Sequence, residues 1–141
     1  MKDILFLDTN VMLDLLGERD PFYDSIAMIV SLADMGEIQI VVSALSYSTV
    51  YFILSKFESD RSIKEKLSKF KVIVITSDLT DKVIDQGLVS RFNDFEDALQ
   101  YHCALNSNCN ILITRNGKDF RESDIPVMTP DEYLSRLKIK T

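Results

Sequence analysis

Short apolar runs alternate along this chain with longer stretches whose apolar residues recur at helical spacing. Residues 4–7, 38–42, 72–75, 110–114 and the short pair 127–128 read as strands. Each run is bounded by polar or turn residues and is apolar almost throughout, as expected of strands buried on both faces of a parallel sheet. Residues 22–35 carry Ile26, Ile29, Val30 and Ala33 on one helical stripe, and Gly36 follows as a stop. Residues 44–57 align Val50, Ile53, Leu54 and Phe57, and 62–70 form a shorter, charged helix. Ser77-Asp78 would cap a helix running to about residue 88. Residues 95–106 align Ala98, Leu99, His102 and Leu105, and Pro130-Asp131-Glu132 opens a last helix. Such alternation predicts an α/β fold: a central parallel sheet of four to five strands, flanked by helices through right-handed crossovers.

Composition narrows the class. A chain of 141 residues, without repeats or a Pro/Gly-rich linker, reads as one domain over 1–141. Its apolar runs are too short to span a membrane, so no membrane association is expected. The first apolar stretch breaks at Asp8 and does not read as a signal peptide. The two cysteines, Cys103 and Cys109, fit neither a disulfide framework nor a zinc ligand set. Together these features suggest a cytoplasmic protein with reduced thiols. A net charge of -6 argues against capture of nucleic acid by broad electrostatic attraction. It leaves room for an enzyme whose clustered acids hold a divalent metal.

Ligands of open parallel sheets bind beyond the carboxyl ends of the strands. Asp8 directly follows the first strand, and Asp119 lies five residues beyond Thr114, the end of the fourth. Asp94 and Asp97 open the crossover helix that leads into that fourth strand. Three residues apart in a first turn, they share a face, and the helix N-terminus offsets their charge. Singly, Asp8 is an ordinary turn residue, Asp94 an N-cap, Asp97 a first-turn acid and Asp119 a loop acid. Jointly they gather hard oxygen ligands without His or Cys, a set suited to Mg²⁺ or Mn²⁺. Such a metal can activate water and stabilise charge on a phosphodiester.

Three segments carry a family resemblance: Phe6-Leu7-Asp8-Thr9-Asn10-Val11, Asn93-Asp94-Phe95-Glu96-Asp97-Ala98-Leu99-Gln100, and Ile111-Leu112-Ile113-Thr114-Arg115-Asn116-Gly117-Lys118-Asp119-Phe120. In order and spacing the sequence resembles the PIN-domain family, most closely its small VapC-type toxins. The resemblance implies a three-layer α/β/α sandwich and a Mg²⁺/Mn²⁺-dependent ribonuclease of the kind that serves as the toxin of a toxin–antitoxin pair. It also implies an RNA substrate, an antitoxin partner and a homodimer. On this resemblance Asp8, Asp97 and Asp119 are the metal ligands and catalytic acids, with Asp94 as a catalytic helper. Thr9, Asn10, Thr114 and Asn116 support them, Thr9 or Asn10 by orienting the first aspartate or a metal-bound water. One departure stands out. The family's glutamate after the second strand falls on Thr49, and no acid occurs between Glu37 and Glu58. Thr49 or Ser46 could hold a metal-bound water but supplies no charge, whereas Asp94 and Glu96 could compensate. The alternative is therefore a catalytically weakened or inactive PIN-like module that binds RNA or a protein.

The remaining polar residues divide between ordinary and functional roles. Asp14 is expected on the solvent side of a short helix, and His102 on an apolar stripe. Arg115, Lys118 and Arg121 flank Asp119 and suit either a phosphate-binding rim or a solvated loop. Arg61, Lys64, Lys66, Lys69 and Lys71 read as a solvated helix face, with an RNA-tracking surface as the rival. Tyr47, Tyr51, Phe52 and Phe57 suit core packing in part and a dimer or antitoxin groove in part. A phosphotransfer site at Asp8 is disfavoured, because Asn10 stands where the second aspartate of haloacid-dehalogenase-like enzymes would be.

Overall fold

A computed structural model describes residues 1–140 of the chain, with side chains through residue 138. The elements run β1 (Ile4–Leu7), α1 (Thr9–Leu16), α2 (Tyr23–Asp34), β2 (Gln39–Ser43), α3 (Ala44–Leu54), α4 (Asp60–Ile73) and β3 (Ile75–Ser77). They continue α5 (Asp81–Leu88), α6 (Phe95–Asn106), β4 (Ile111–Ile113), a 3-10 turn (Gly117–Phe120), β5 (Val127–Met128) and α7 (Pro130–Lys140). All neighbouring strands pair in parallel, in the order β3-β2-β1-β4-β5.

The near-continuous apolar runs work because each strand has two covered faces. Leu5, Leu7, Ile40, Val42, Ile111 and Ile113 pack on one side with Val11 and Met12 of α1, Ile26 of α2, Val50 of α3, Ile63 of α4 and Tyr133 of α7. Phe6, Val41 and Leu112, which pair across the three central strands, point to the other side. There they meet Val83 of α5, Leu99, Tyr101 and Ala104 of α6, and Phe120. The result is three layers, with α1–α4 and α7 on one face of the sheet and α5 and α6 on the other.

Strand order decides where a ligand can sit. From β1 the chain moves outward to β2 and β3, then returns to place β4 on the other side of β1. Helices leaving β1 and β4 therefore diverge, and a crevice opens beyond the carboxyl ends of these two strands. Asp8 follows β1 and Thr114 follows β4, so both stand at this point of reversal.

Three expectations need correction. Residues 72–75 do not form the third strand: α4 continues through Ile73, and β3 is Ile75–Ser77. Ile63 and Phe70, seven apart, are the buried positions of α4, whereas Val72 is 87% exposed. Its run of β-branched residues is thus partly an exposed helix end. Nor does Asp14 face solvent, since only 1% of it is exposed. The helix α5 also begins later than Ser77-Asp78, where the Thr80 hydroxyl accepts from the Val83 backbone N–H at 3.1 Å. The aromatic group on α3 divides: Tyr47 and Tyr51 pack against the core, whereas Phe52 and Phe57 are exposed. In the basic run, Arg61, Lys64 and Lys66 pair with Glu65, Asp60 and Glu58, as on an ordinary solvated helix face.

Gly87 lets α5 lie close to α6. A Cβ there would stand 3.0 Å from Leu99 Cδ2 and 3.3 Å from Phe95 Cε1. Replacing a helical glycine normally gains up to about 1 kcal/mol, but overpacking costs about 1–3 kcal/mol. We therefore expect Gly87→Val to lower the urea midpoint at unchanged slope, despite its better helix propensity.

Candidate active site

Asp8 is the best-anchored acid in the crevice. Its backbone N–H continues the sheet ladder to the Ile113 carbonyl at 3.0 Å. It then caps α1, its Oδ1 accepting from the Thr9 N–H at 2.9 Å. Its Oδ2 accepts from the Thr114 hydroxyl at 2.8 Å. The carboxylate is thus fixed between the ends of β1 and β4 while only 6% exposed. Burial raises its pKa, the bonds from Thr114 and Thr9 oppose that rise, and Glu96 and Asp119 add to it.

Asp97 approaches from the other layer. Asp94 caps α6, its Oδ1 accepting from the Asp97 N–H at 3.0 Å. The Asp97 carboxyl is pushed up to about 7, first by burial and then by the charges of Asp94, Asp8, Asp119 and Glu96. This coupling brings together Asp8, Asp94, Asp97 and Asp119, the acids expected from the sequence. Asp119 is carried by the 3-10 turn after β4, its N–H bonded to the Asn116 carbonyl at 2.9 Å. The Asn116 N–H donates in turn to the Thr114 hydroxyl at 3.1 Å, which links the segment carrying Asp119 to the hydroxyl that holds Asp8.

A cleft of about 490 Å³ is lined by Asp94, Asp97, Asp119 and Glu122 with Arg91, Lys118 and Arg121. The Arg121 guanidinium Nε donates to the Lys118 carbonyl at 3.1 Å, which orients it along the rim. Arg115 has a different setting. Its Nε and Nη2 reach Asp14 at 2.6 and 3.2 Å, and its guanidinium carbon lies 3.8 Å over the Phe22 ring. It therefore faces the α1–α2 side and does not line the cleft as Lys118 and Arg121 do.

Behind the acids is a buried polar cluster. The Thr9 and Ser46 hydroxyls are 2.8 Å apart, and Gln100 Nε2 donates to them at 3.1 and 3.2 Å. Gln100 Oε1 has no hydrogen-bond partner among the described residues. Thr9 thus supports Asp8 through its N–H, with its hydroxyl turned into this cluster. Asn10, half-buried beside it, shows no side-chain hydrogen bond to Asp8. Gln100 escaped the sequence reading, although it is the one strongly polar residue one turn after Asp97 in an otherwise buried segment. Arg91 and Glu122 escaped it too, because neither belongs to a motif. Thr49, where the expected glutamate falls, turns back on its own helix toward the Leu45 carbonyl at 3.5 Å. From α3 it is Ser46, one turn earlier, that reaches the floor of the site. His102 is half-buried, with its pKa lowered by burial, and takes no part in the coupled acid group.

The donor set is chemically suited to a hard divalent cation: oxygen ligands, mutual repulsion, and no local counter-charge on Asp8. It is assembled to the level of a neighbourhood. Among the described residues no three acidic, histidine or cysteine side chains close around one point. Asp8 and Thr114 form a fixed base, whereas Asp94 and Asp119 are exposed at the mouth.

Comparison with known proteins bears on this arrangement. The PIN domain model matches residues 5–118. The chain belongs to the PIN-domain family. Ribonucleases of this family depend on a divalent metal. The chain is 28% identical over 137 residues to "Ribonuclease VapC1" of Aquifex aeolicus (strain VF5), covering 94% of each. Its fold is similar to that in a toxin–antitoxin complex from Klebsiella pneumoniae, with a TM-score of 0.68 and 21% identity over 89% of this chain and 97% of that one. It is similar as well to VapBC2 from Rickettsia felis bound to a promoter DNA fragment, with a TM-score of 0.65 and 20% identity over 89% of this chain and 96% of the other. No helix among the described residues is long and apolar enough to cross a membrane.

The raised Asp97 value sets a pH dependence. In the unfolded chain its carboxyl ionises near 3.8, whereas in the folded metal-free chain it holds its proton to about 7. This contribution to stability is full below the lower value and is lost as pH rises through the upper one. Asp8 contributes with the same sign. We expect the melting temperature in chelator to fall between about pH 4 and about pH 7. Asp97→Asn should flatten this fall and melt higher than the parent at the alkaline end.

Proposed function

We propose that this chain is a Mg²⁺- or Mn²⁺-dependent endoribonuclease that acts in the cytoplasm as the toxin of a toxin–antitoxin pair. The observation that carries the reading is the coupled acid group at the strand reversal, with Asp8 locked by Thr114 and Asp97 pushed up to about 7. Family membership and the ribonuclease relative support it. The whole span 1–141 would act as one functional unit.

In this reading Asp8, Asp97 and Asp119 hold the cation, and Asp94 supports Asp97 through its backbone N–H. The cation supplies Lewis-acid stabilisation of charge developing on the scissile phosphodiester. Thr114 fixes the Asp8 carboxylate between the ends of β1 and β4. Lys118, Arg121 and Arg91 contact the RNA backbone on either side of the acids, as phosphate contacts position a nucleic acid without reading its sequence. Metal binding removes the proton that Asp97 retains to about pH 7, so affinity should rise with pH through that value.

Toxin–antitoxin complexes among the structural neighbours support an antitoxin partner. The exposed Phe52 and Phe57 are apolar contacts available to an antitoxin or to a second copy in a homodimer.

The second reading, a weakened or inactive module that binds RNA or a protein, draws on Thr49. No acid comes from α3, and the Thr49 hydroxyl faces its own helix. Structured RNA incubated with Mn²⁺ decides between them. Cleavage should appear with metal and vanish with chelator. Asp8→Asn and Asp97→Asn should each lower kcat by about 100-fold or more, as loss of ~2.7 kcal/mol of transition-state stabilisation would. Cleavage that survives chelation and both substitutions would reject the ribonuclease reading. Absence of both cleavage and metal binding in the parent would favour the inactive module.

A further inference from the structure

The sequence leaves Asp14 without a purpose and makes Arg115 a candidate RNA contact. The structure joins them. Asp14 is 1% exposed, and both of its oxygens are taken by arginine. Arg115 grips it with a two-point fork, Nε to Oδ2 at 2.6 Å and Nη2 to Oδ1 at 3.2 Å, while Arg19 Nε lies 3.0 Å from Oδ1. The Phe22 ring backs the Arg115 guanidinium at 3.8 Å. A buried carboxylate held by a fork and a stacked ring defines a geometry, whereas a solvated loop arginine defines none.

The residues on either side of Arg115 make that geometry useful. Thr114, just before it, donates to Asp8 Oδ2. Asn116, just after it, donates through its N–H to the Thr114 hydroxyl and accepts through its carbonyl from the Asp119 N–H. Asp8 and Asp14 are the N-cap and the sixth residue of the same helix, α1. The loop after β4 is therefore fastened to α1 twice, by Thr114 at the helix start and by Arg115 near its end.

We propose that Arg115 is a positioning residue: by clamping the loop after β4 to buried Asp14, it sets Thr114 against Asp8 and places Asp119 for metal binding. Arg115 is then not an RNA contact, and the phosphate rim consists of Lys118, Arg121 and Arg91. This inference rests on the metal-binding part of the proposed function and does not require RNA cleavage.

The test uses the full chain with Arg115→Ala, Arg115→Lys and Asp14→Asn, each first confirmed as folded by its urea transition. Mn²⁺ binding is read by calorimetry, amide hydrogen exchange over residues 114–121 by mass spectrometry, and RNA affinity in chelator across a salt series. Arg115→Ala and Asp14→Asn should weaken Mn²⁺ binding about 10-fold, the factor conferred by residues that orient a metal's ligands. Both should speed exchange over 114–121 more than in β1 and β2. Arg115→Lys, which keeps the charge but loses the fork, should fall between the parent and Arg115→Ala. RNA affinity in chelator and its salt slope should not change. Parent-like Mn²⁺ affinity and loop exchange in Arg115→Ala would overturn the proposal, even if global stability fell. A lower RNA affinity with a shallower salt slope would overturn it in favour of a phosphate contact. If Arg115→Ala does not fold, Arg115→Lys and Asp14→Asn decide by the same readings. A parent that binds Mn²⁺ but cuts no RNA would reject the ribonuclease reading and leave this test intact.

Discussion

The structure turns on one hydrogen bond, from the Thr114 hydroxyl to the Asp8 carboxylate across the gap between β1 and β4. Strand order requires helices to diverge at that gap, so the crevice would exist for any sequence of this topology. What this sequence adds is a carboxylate at the end of one central strand and a donor at the end of its neighbour. Two neutral donors hold Asp8, and no cation of the chain pairs with it among the described residues. Asp14, two turns further along the same helix, is as deeply buried but shared by two arginines. One buried aspartate is satisfied internally. The other keeps its charge uncompensated and opens toward three further acids, the electrostatic condition for an external cation.

The third helix shows how the site stands without the acid expected from it. The position nearest the floor, Ser46, joins Thr9 and Gln100 in a buried hydrogen-bonded cluster. That cluster links the first turn of α1, the first turn of α3 and the second turn of α6. A carboxylate at Ser46 would add another negative charge to a neighbourhood where Asp97 is already pushed up to about 7. Neutral polar groups avoid that repulsion and still fix the helix starts. The trade exchanges ligand charge for a firmer floor, and in the proposed reading it leaves the cation to Asp8, Asp97 and Asp119.

Legibility in the sequence followed the physics of each feature. Strands β1, β2 and β4 were readable because double-sided burial leaves uninterrupted apolar runs between polar stops. The third strand was misplaced because Val72 and Ile73 are β-branched residues at a helix end, and local composition cannot separate the two settings. The acids were legible as a group, since carboxylates immediately after strands and at crossover-helix starts have one place to go in such a sheet. The roles of Asp14 and Arg115 were not, being 101 residues apart in sequence. Nothing local marks a pair of that kind. Gln100 is hidden for a related reason: the partners of its Nε2 lie on α1 and α3, and only the packing of three helices brings them together.

In the proposed reading, a chain of net charge -6 acts on a polyanion, and the basic residues of the cleft offset the repulsion. Arg91, Lys118 and Arg121 form a narrow basic rim beside Asp94, Asp97 and Asp119. Such a rim acts over a Debye length of about 8 Å at physiological salt, so it can orient a strand already at the cleft but cannot draw one from afar. In the proposed reading, a divalent cation held by Asp8, Asp97 and Asp119 would raise the local potential beside this rim. In the proposed reading, metal binding and RNA binding are one electrostatic event: the acids that would hold the cation are the groups whose neutralisation would make the cleft attractive to a phosphate backbone.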